Sequence, residues 1–339
     1  MTKKLFSGLV AVLLVLSLLP VSLASTPQVG GAVGINLNTG QFAPRVYMDP
    51  ATRIFRHNAA DGGTELVERT QNYAFEGEQL SWDVVVWDKN GREQISNVHV
   101  TIGTTQGVGN QEEVECVQNA RVDAPSTIGA RDDEGNTLAW DANTMLWYTC
   151  IFTVEPQASM YGEYFVVGEA TDKTGLMGTF DENELWFLNP VVGIQIRGNI
   201  NFGAVNPGQR AYSSTIIVTN AADEGSAVVL NMSISGTDFY DAFSSGARCP
   251  ASNVLSLTNF RYYATNGAYS SSTNAGADVE GYDAIPYETS DPSNRVPMID
   301  ANPLLSQGSD IALTLRLDIP QPCIGDFSAG NINFWGRVV

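Results

Sequence analysis

Apolar and polar residues alternate along most of this chain, and the alternation limits its fold more than any other feature of the sequence. Trp82, Val84 and Val86 share one face of a strand, because side chains two residues apart point the same way. The pattern recurs at residues 98–102 and 146–154, and further strands are predicted at 184–188, at the β-branched run 215–220, and at 228–239 and 331–339. Turn sequences such as Asp-Lys-Asn-Gly at residues 88–91 separate these runs, and no helical period follows residue 24. The sequence therefore predicts an all-β protein of antiparallel β-sandwiches.

The first 24 residues have the order of a secretory signal peptide. Lys3 and Lys4 precede an apolar run at residues 5–19, and small residues follow up to Ala24. As a helix this run would reach about 22 Å, short of a hydrocarbon core of about 30 Å. A retained membrane anchor is the alternative. The favoured prediction is a protein secreted or held at the cell surface, with no stable membrane span after cleavage.

The net charge excludes two classes of partner. The chain carries a net charge of −19, which becomes −21 once Lys3 and Lys4 leave with the signal peptide. Such a surface repels nucleic acid and anionic lipid. The acidic excess is compatible with solubility at high salt or in a crowded envelope, and also with a basic partner.

The chain is predicted to divide near residues 189–198. The expected segments are a signal peptide at 1–24, an N-terminal arm at 25–44, a first domain at 45–192 and a second domain at 193–339. Four cysteines remain after export, and an even number in an oxidising compartment indicates disulfides. Three pairings are open, and the sequential one is preferred because each bond then stays within one domain. Its bonds join Cys116 to Cys150 and Cys249 to Cys323.

Two stretches carry a family resemblance. Residues 162–175 read G-E-Y-F-V-V-G-E-A-T-D-K-T-G, which resembles the strand–turn signature of prokaryotic immunoglobulin-like repeats on surface proteins. Residues 202–208 (F-G-A-V-N-P-G), 218–220 (V-T-N) and 234–239 (I-S-G-T-D-F) resemble Hydin-type immunoglobulin-like domains. The resemblance implies two consecutive immunoglobulin-like sandwiches with a structural or adhesive role. It transfers no catalytic residue.

A tyrosine-rich excursion interrupts the second domain at residues 260–295. Tyrosines among serine, asparagine and aspartate could form a stacking and hydrogen-bonding platform for sugar rings. The alternative is a solvated insertion whose tyrosines pack on their own sandwich. The candidate ligand-binding residues are Tyr262, Tyr263, Tyr269, Tyr282 and Tyr287.

Signals for catalysis and for metals are weak. No nucleophile, phosphate-binding or zinc-protease motif occurs, and His99 sits on an alternating strand where it is expected to be exposed. Paired carboxylates such as Glu76 and Glu78 are the one ingredient of a hydrolase, and neighbours in sequence rarely face each other across a cleft. No cofactor is expected, and calcium is the alternative, with weak candidate ligands at Asp132, Asp133, Glu134 and Asn136. Asn231 begins a weak glycosylation sequon.

The arm carries an assembly hypothesis. Val33, Ile35 and Leu37 alternate with small or polar residues, so this segment could add as a strand to a neighbouring subunit. The alternative is pairing within its own chain or a flexible arm. The sequence as a whole favours a non-catalytic structural or adhesive protein of an envelope, coat or fibre, with other surface proteins or copies of itself as partners. A carbohydrate-binding protein is the first alternative, and an extracellular hydrolase is the second.

Overall fold

The protein is built almost entirely of β-strands. The computed structural model describes residues 37, 39–48, 54–56, 66–68, 71–106, 112–119, 139–180, 185–266, 281–299 and 303–339, with the backbone alone at 54–56, 66–68 and 266. Helical structure in this part of the chain is limited to short 3₁₀ turns at Arg92–Gln94, Leu257–Asn259 and Pro292–Asn294. The predicted all-β class is therefore confirmed. Within the described ranges, no helix is long and apolar enough to cross a membrane.

The strands fall into two groups along the chain. The first group is β1 (Arg45–Met48), β2 (Ile54–Arg56), β3 (Leu66–Glu68), β4 (Tyr73–Ala74), β5 (Gln79–Trp87), β6 (Ile95–Gly103), β7 (Glu112–Gln118), β8 (Met145–Thr153), β9 (Gly162–Asp172), β10 (Met177–Phe180) and β11 (Leu185–Leu188). The second group is β12 (Ile194–Arg197), β13 (Arg210–Tyr212), β14 (Ile216–Asn220), β15 (Val229–Gly236), β16 (Phe239–Tyr240), β17 (Val254–Leu255), β18 (Phe260–Asn266), β19 (Asp283–Ala284), β20 (Val296–Pro297), β21 (Leu304–Ser306), β22 (Asp310–Asp318) and β23 (Ile332–Val338).

The first group forms one 11-stranded sheet that folds over its own core. Its order is β3-β2-β5-β8-β7-β6-β9-β11-β4, with β1 on β5 and β10 on β9. Strand β7 pairs with β6 through its first residues and with β8 through its last residues. It therefore connects the half of the sheet that contains β5 and β8 to the half that contains β6 and β9. The apolar faces of β5 and β8 then meet those of β6 and β9 in one buried cluster that includes Trp82, Val100 and Tyr148.

The second group forms two main sheets around a second core. A six-stranded sheet has the order β12-β14-β22-β18-β19 with β13 on β22, and a four-stranded sheet joins β20, β21 and β23 to β15. Strand β15 runs along β23 from Leu230 to Gly236, so β20 and β21 share its other edge. Buried side chains from both sheets, such as Met232, Leu313 and Tyr262, fill the space between them.

The division between the groups holds for strand pairing but not for packing. No pairing among the described strands joins the first group to the second. Tyr73 of β4 and Phe187 of β11 nevertheless belong to the second core, and the Tyr73 hydroxyl donates a hydrogen bond to the carbonyl oxygen of Val339. Phe42–Val339 forms one compact unit. The predicted boundary between residues 192 and 193 therefore stays a prediction, as does the signal peptide, which lies outside the described residues.

Both disulfides of the sequential pairing are present. Cys116 is bonded to Cys150 across the neighbouring strands β7 and β8, and Cys249 is bonded to Cys323. The second bond fastens a loop after β16 to the segment between β22 and β23. Next to this bond, Arg248 and Ile324 each donate a backbone N–H to the carbonyl oxygen of the other.

Candidate ligand-binding face

Three tyrosine rings lie together on the side of the six-stranded sheet that faces away from the core. We call this surface the tyrosine face, and it consists of Tyr212 on β13, Tyr263 on β18 and Tyr282 just before β19. The ring centroids of Tyr212 and Tyr282 are 5.6 Å apart, and those of Tyr263 and Tyr282 are 5.7 Å apart. Tyr212 is 48% exposed, and the other two rings are half-buried. The rings form one aromatic surface that reaches solvent at Tyr212.

Strand alternation places the first two rings there. Phe260, Tyr262 and Ala264 of β18 are buried in the core, so Tyr263 between them points to the opposite face. Across the sheet, Tyr263 lies opposite Thr314 and Tyr212 lies opposite Arg316, both on β22. Since those two β22 residues are two apart, the tyrosines on either side of the strand come close.

The third ring depends on a glycine. Gly281 has a φ of +81°, a left-handed conformation that other residues adopt at a cost. A Cβ at this position would lie 3.5 Å from the Tyr263 ring, so the chain passes close to that ring just before Tyr282. The Tyr282 hydroxyl then lies 3.2 Å from Oγ1 of Thr314. Gly281 therefore directs Tyr282 onto the sheet.

A buried arginine supports the rings. The guanidinium carbon of Arg316 lies 5.5 Å from the Tyr282 ring centroid, and its Nη2 donates to Oδ2 of Asp318 at 3.0 Å. Asp318 also accepts from Nε of Arg210 at 2.7 Å. A cation near an aromatic ring is attracted by the ring's quadrupole. The resulting network fixes the aromatic surface before any ligand arrives, which reduces the entropy lost on binding.

The remaining predicted tyrosines do not join this surface. Tyr262 was predicted to contact ligand, but it is buried, and its hydroxyl donates to the carbonyl oxygen of Pro297 at 3.0 Å, because its position on β18 faces the core. Tyr287 lies beside the four-stranded sheet, where it bridges Gly236, and its hydroxyl donates to Asp238 at 2.8 Å. Tyr269 lies outside the described residues. The structure also shows that the predicted excursion begins with a core strand, β18.

Other predicted sites receive no support from geometry. The calcium candidates Asp132, Asp133, Glu134 and Asn136 lie outside the described residues, as do Val33, Ile35 and the rest of the arm before residue 37. In the described ranges no three histidine, cysteine or acidic side chains converge as metal ligands would. Asn231 lies on β15, which pairs with other strands along both of its edges, and the residue is half-buried.

Of the carboxylates that a hydrolase would use, Glu76 and Glu78 are described by the structure, and they do not face each other. Glu76 is exposed, whereas Glu78 is buried and its Oε2 accepts the backbone N–H of Phe75 at 2.9 Å. Glu78 therefore holds the turn before β5 and does not line a cleft with Glu76. The pairs at 132–133 and at 181–184 lie outside the described residues.

His99 is not the exposed strand residue that the alternation predicted. Its side chain is 12% exposed, and Nε2 lies 3.2 Å from Oε2 of Glu169, which is itself buried. Thr101 donates to the other oxygen of Glu169 at 3.0 Å. His99 does point away from the core, as predicted, but that side of the sheet is also covered. Alternation predicts which face a residue occupies and not whether the face is open.

Sequence reasoning missed a pocket at one end of the second core, lined by both apolar side chains and polar groups. We call it the end pocket; it has a volume of about 560 Å³ and opens between the chain after β12 and the start of β23. Its lining is dominated by Phe202, Phe239, Phe260, Phe327, Ile319 and Ile332. Phe202 belongs to the F-G-A-V stretch at residues 202–205 on which the family resemblance rests, and it packs against the second core.

No protein family matches the sequence. An uncharacterized protein of Methanocaldococcus jannaschii is 25% identical over 305 residues, which cover 84% of this chain and 80% of that protein.

Solved structures show only remote likeness. A chain named BspA_C_WT superposes with a TM-score of 0.27 at 12% identity, over 81% of this chain and 94% of that one. A chain of the chaperone–tip adhesin complex of CFA/I fimbriae gives 0.23 at 9% identity, over 88% and 92%. The sialic acid binding region of a Streptococcus sanguinis SK1 adhesin gives 0.21 at 12% identity, over 83% and 70%. Likeness at this level assigns neither a shared fold nor a shared function.

Proposed function

We propose that this chain is a non-catalytic adhesive protein of the cell exterior and that its tyrosine face binds glycans. The observation that carries the proposal is the contact of Tyr212, Tyr263 and Tyr282 on one sheet, with two ring-to-ring distances below 6 Å. One ring face of a sugar presents C–H groups, which pack on the negative face of an aromatic ring. The tyrosine hydroxyls and the neighbouring Thr314 supply polar groups for the sugar hydroxyls.

Two independent features support a location outside the cell. The N-terminal sequence has the order of a signal peptide, and two disulfides are typical of oxidising compartments. A protein in this position meets the glycans of cell surfaces and matrices.

Alanine substitution tests the proposal directly. The chain, its Tyr263→Ala and Tyr282→Ala variants and a control Tyr240→Ala variant are applied to a broad panel of immobilised glycans. Tyr240 is a matched control because it is 49% exposed but lies on β16, away from the tyrosine face. We expect saturable binding by the parent and the control, and a loss of about tenfold or more in affinity for each tyrosine-face variant.

Two results would contradict the proposal. One is the absence of binding by the parent across the whole panel. The other is binding by both tyrosine-face variants with the affinity of the parent. Circular dichroism of each variant establishes that a lost signal comes from the lost ring and not from a lost fold.

A further inference from the structure

Strand β23 has one edge that no strand in the described ranges pairs with. Its partner β15 covers the other edge along the full length of β23. The backbone N–H groups of Met232 and Gly236 on β15 donate to the carbonyls of Pro303 and Pro286, away from β23. These two residues are therefore not hydrogen-bonded to the residues opposite them, which are Gly336 and Ile332.

The same register identifies which backbone groups face outward from β23. In an antiparallel pair, bonded and non-bonded positions alternate, so every second residue of β23 points its N–H and C=O away from β15. Asn333, Trp335 and Arg337 are at the positions that are hydrogen-bonded to β15. The same alternation continues beyond the strand, where the N–H of Thr237 donates to the carbonyl oxygen of Asn331. The groups at the open edge belong to Ile332, Phe334, Gly336 and Val338.

This edge lacks the features that usually prevent pairing with another chain. Edge strands are commonly protected by proline, by lysine, by a bulge or by short length. Strand β23 has seven residues, of which Arg337 is the only charged one, and Trp335 is 36% exposed. No bulge interrupts its register with β15. A regular, nearly uncharged edge of this length is a template for strand addition.

The end pocket continues the edge. Ile332, the first residue of β23, lines that pocket together with Phe202 and Ile200, which follow β12. An added strand would therefore have one end next to this pocket. Strand addition of this kind takes its affinity from main-chain hydrogen bonds and its specificity from pockets for alternate side chains.

We propose that residues 33–37 of one copy of this chain add as a strand to the open edge of β23 in a second copy. Val33, Ile35 and Leu37 supply apolar side chains at alternate positions, so one face of the added strand would be apolar, as is the face of β23 that packs on the second core through Ile332, Phe334 and Val338. Residues 25–44 contain no charged side chain, although the chain as a whole carries a net charge of −19. The arm is thus a segment that can approach another copy without meeting like charge.

Light scattering with a matched pair of variants tests the proposal. The chain from Ser25 onward is measured from about 1 to 100 μM at 0.15 M salt, where a Debye length of about 8 Å screens much of the repulsion between copies. The variants are Ile35→Asp, whose charge would lie on the core-facing side of the added strand, and Asn36→Asp, whose charge would lie on the opposite side. We expect the parent and Asn36→Asp to associate, and we expect Ile35→Asp and a deletion of residues 25–37 to stay monomeric.

Hydrogen exchange locates the contact. In the associated parent, the amides of Ile332, Phe334, Gly336 and Val338 should exchange at least tenfold more slowly than in Ile35→Asp. The amides of Asn333, Trp335 and Arg337, which face β15, should be slow in both proteins. Association of Ile35→Asp to the same extent as the parent would overturn the proposal. So would a monomeric parent, whether the four edge amides are exposed or protected by the chain's own arm.

Discussion

At the scale of single residues, one carboxylate holds a loop of the second strand group in place. Asp241 is buried, and its oxygens accept the backbone N–H groups of Phe243, Gly246 and Ala247 at 2.9 to 3.1 Å. The backbone N–H of Ser245, with those of Ala247 and Phe243, lowers the pKa of Asp241 to about 2. The ionised form is therefore the one that stabilises the fold.

Acid should release this loop in a narrow range of pH. The lowered pKa means that Asp241 stabilises the protein fully above the unfolded value of about 3.9 and loses this effect as the pH falls through about 2. Asp241→Asn should therefore be less stable than the parent at pH 7, and the difference should shrink between pH 4 and pH 2. Urea unfolding at pH 7, 4 and 2 measures the difference in the free energy of unfolding between the parent and Asp241→Asn. The exposed Glu224→Gln variant is the control, and a difference independent of pH would contradict the assignment.

A glycine shows how closely the first strand group is packed. A Cβ on Gly178 of β10 would lie 1.7 Å from the carbonyl oxygen of Pro44, which precedes β1. Gly178→Ala must displace one of these segments, and overpacking of this kind costs about 1–3 kcal/mol. Gly40→Ala is the control, because no atom lies within 4 Å of its Cβ position. The free energies of unfolding of the two variants are compared. Equal values would contradict the prediction, because they would mean that the segment before β1 moves aside without loss of stability.

At the scale of elements, a buried asparagine ties the end of the first strand group together. Asn189 has a φ of 53°, and its Nδ2 donates to the carbonyls of Glu155 and Met160 at 2.8 and 2.7 Å. It follows β11 and precedes the segment that leads to the second group.

Removing this amide should be costly. In Asn189→Ala two carbonyls lose their donor, at about 1–3 kcal/mol each, and alanine is strained at positive φ. Asn189→Gly relieves the strain but not the lost hydrogen bonds. We expect both variants to be destabilised, Asn189→Ala the more strongly, in chemical unfolding. Parent-like stability of Asn189→Gly would mean that the two hydrogen bonds contribute nothing.

The same scale shows what the sequence can predict. Strands β5, β6 and β8 lie where alternation predicted them, and β14, β15 and β23 lie at the other predicted strand segments, because each has one face on a core. Strand β13 was not predicted, since three residues are too short for a period. Its partner β22 follows about 100 residues later, and no local pattern encodes that register. Tyr212 was missed for this reason, and so the tyrosine face was predicted only in Tyr263 and Tyr282.

At the scale of the whole molecule, the two strand groups share a core. Tyr73 is fully buried among second-group residues, and its hydroxyl binds the carbonyl of Val339. The order of the strands along the chain suggested two separate cores, but side chains of the first strand group form part of the second core. The described unit should then unfold as one.

Calorimetry tests this coupling. The parent should show a single transition whose calorimetric and van't Hoff enthalpies agree. Tyr73→Ala removes a large buried ring, at about 3–5 kcal/mol, and should separate the transition into two. Two transitions in the parent would mean that the groups are independent domains, as the sequence alone predicted.

The central claim, that the tyrosine face binds glycans, is tested most directly by saturation-transfer NMR with irradiation of aromatic protons. We predict transfer to the C–H groups on one face of a bound sugar ring, and we predict that Tyr282→Ala abolishes it while Tyr240→Ala leaves it unchanged. The contradicting result is a bound glycan whose transfer is the same in the parent and in Tyr282→Ala.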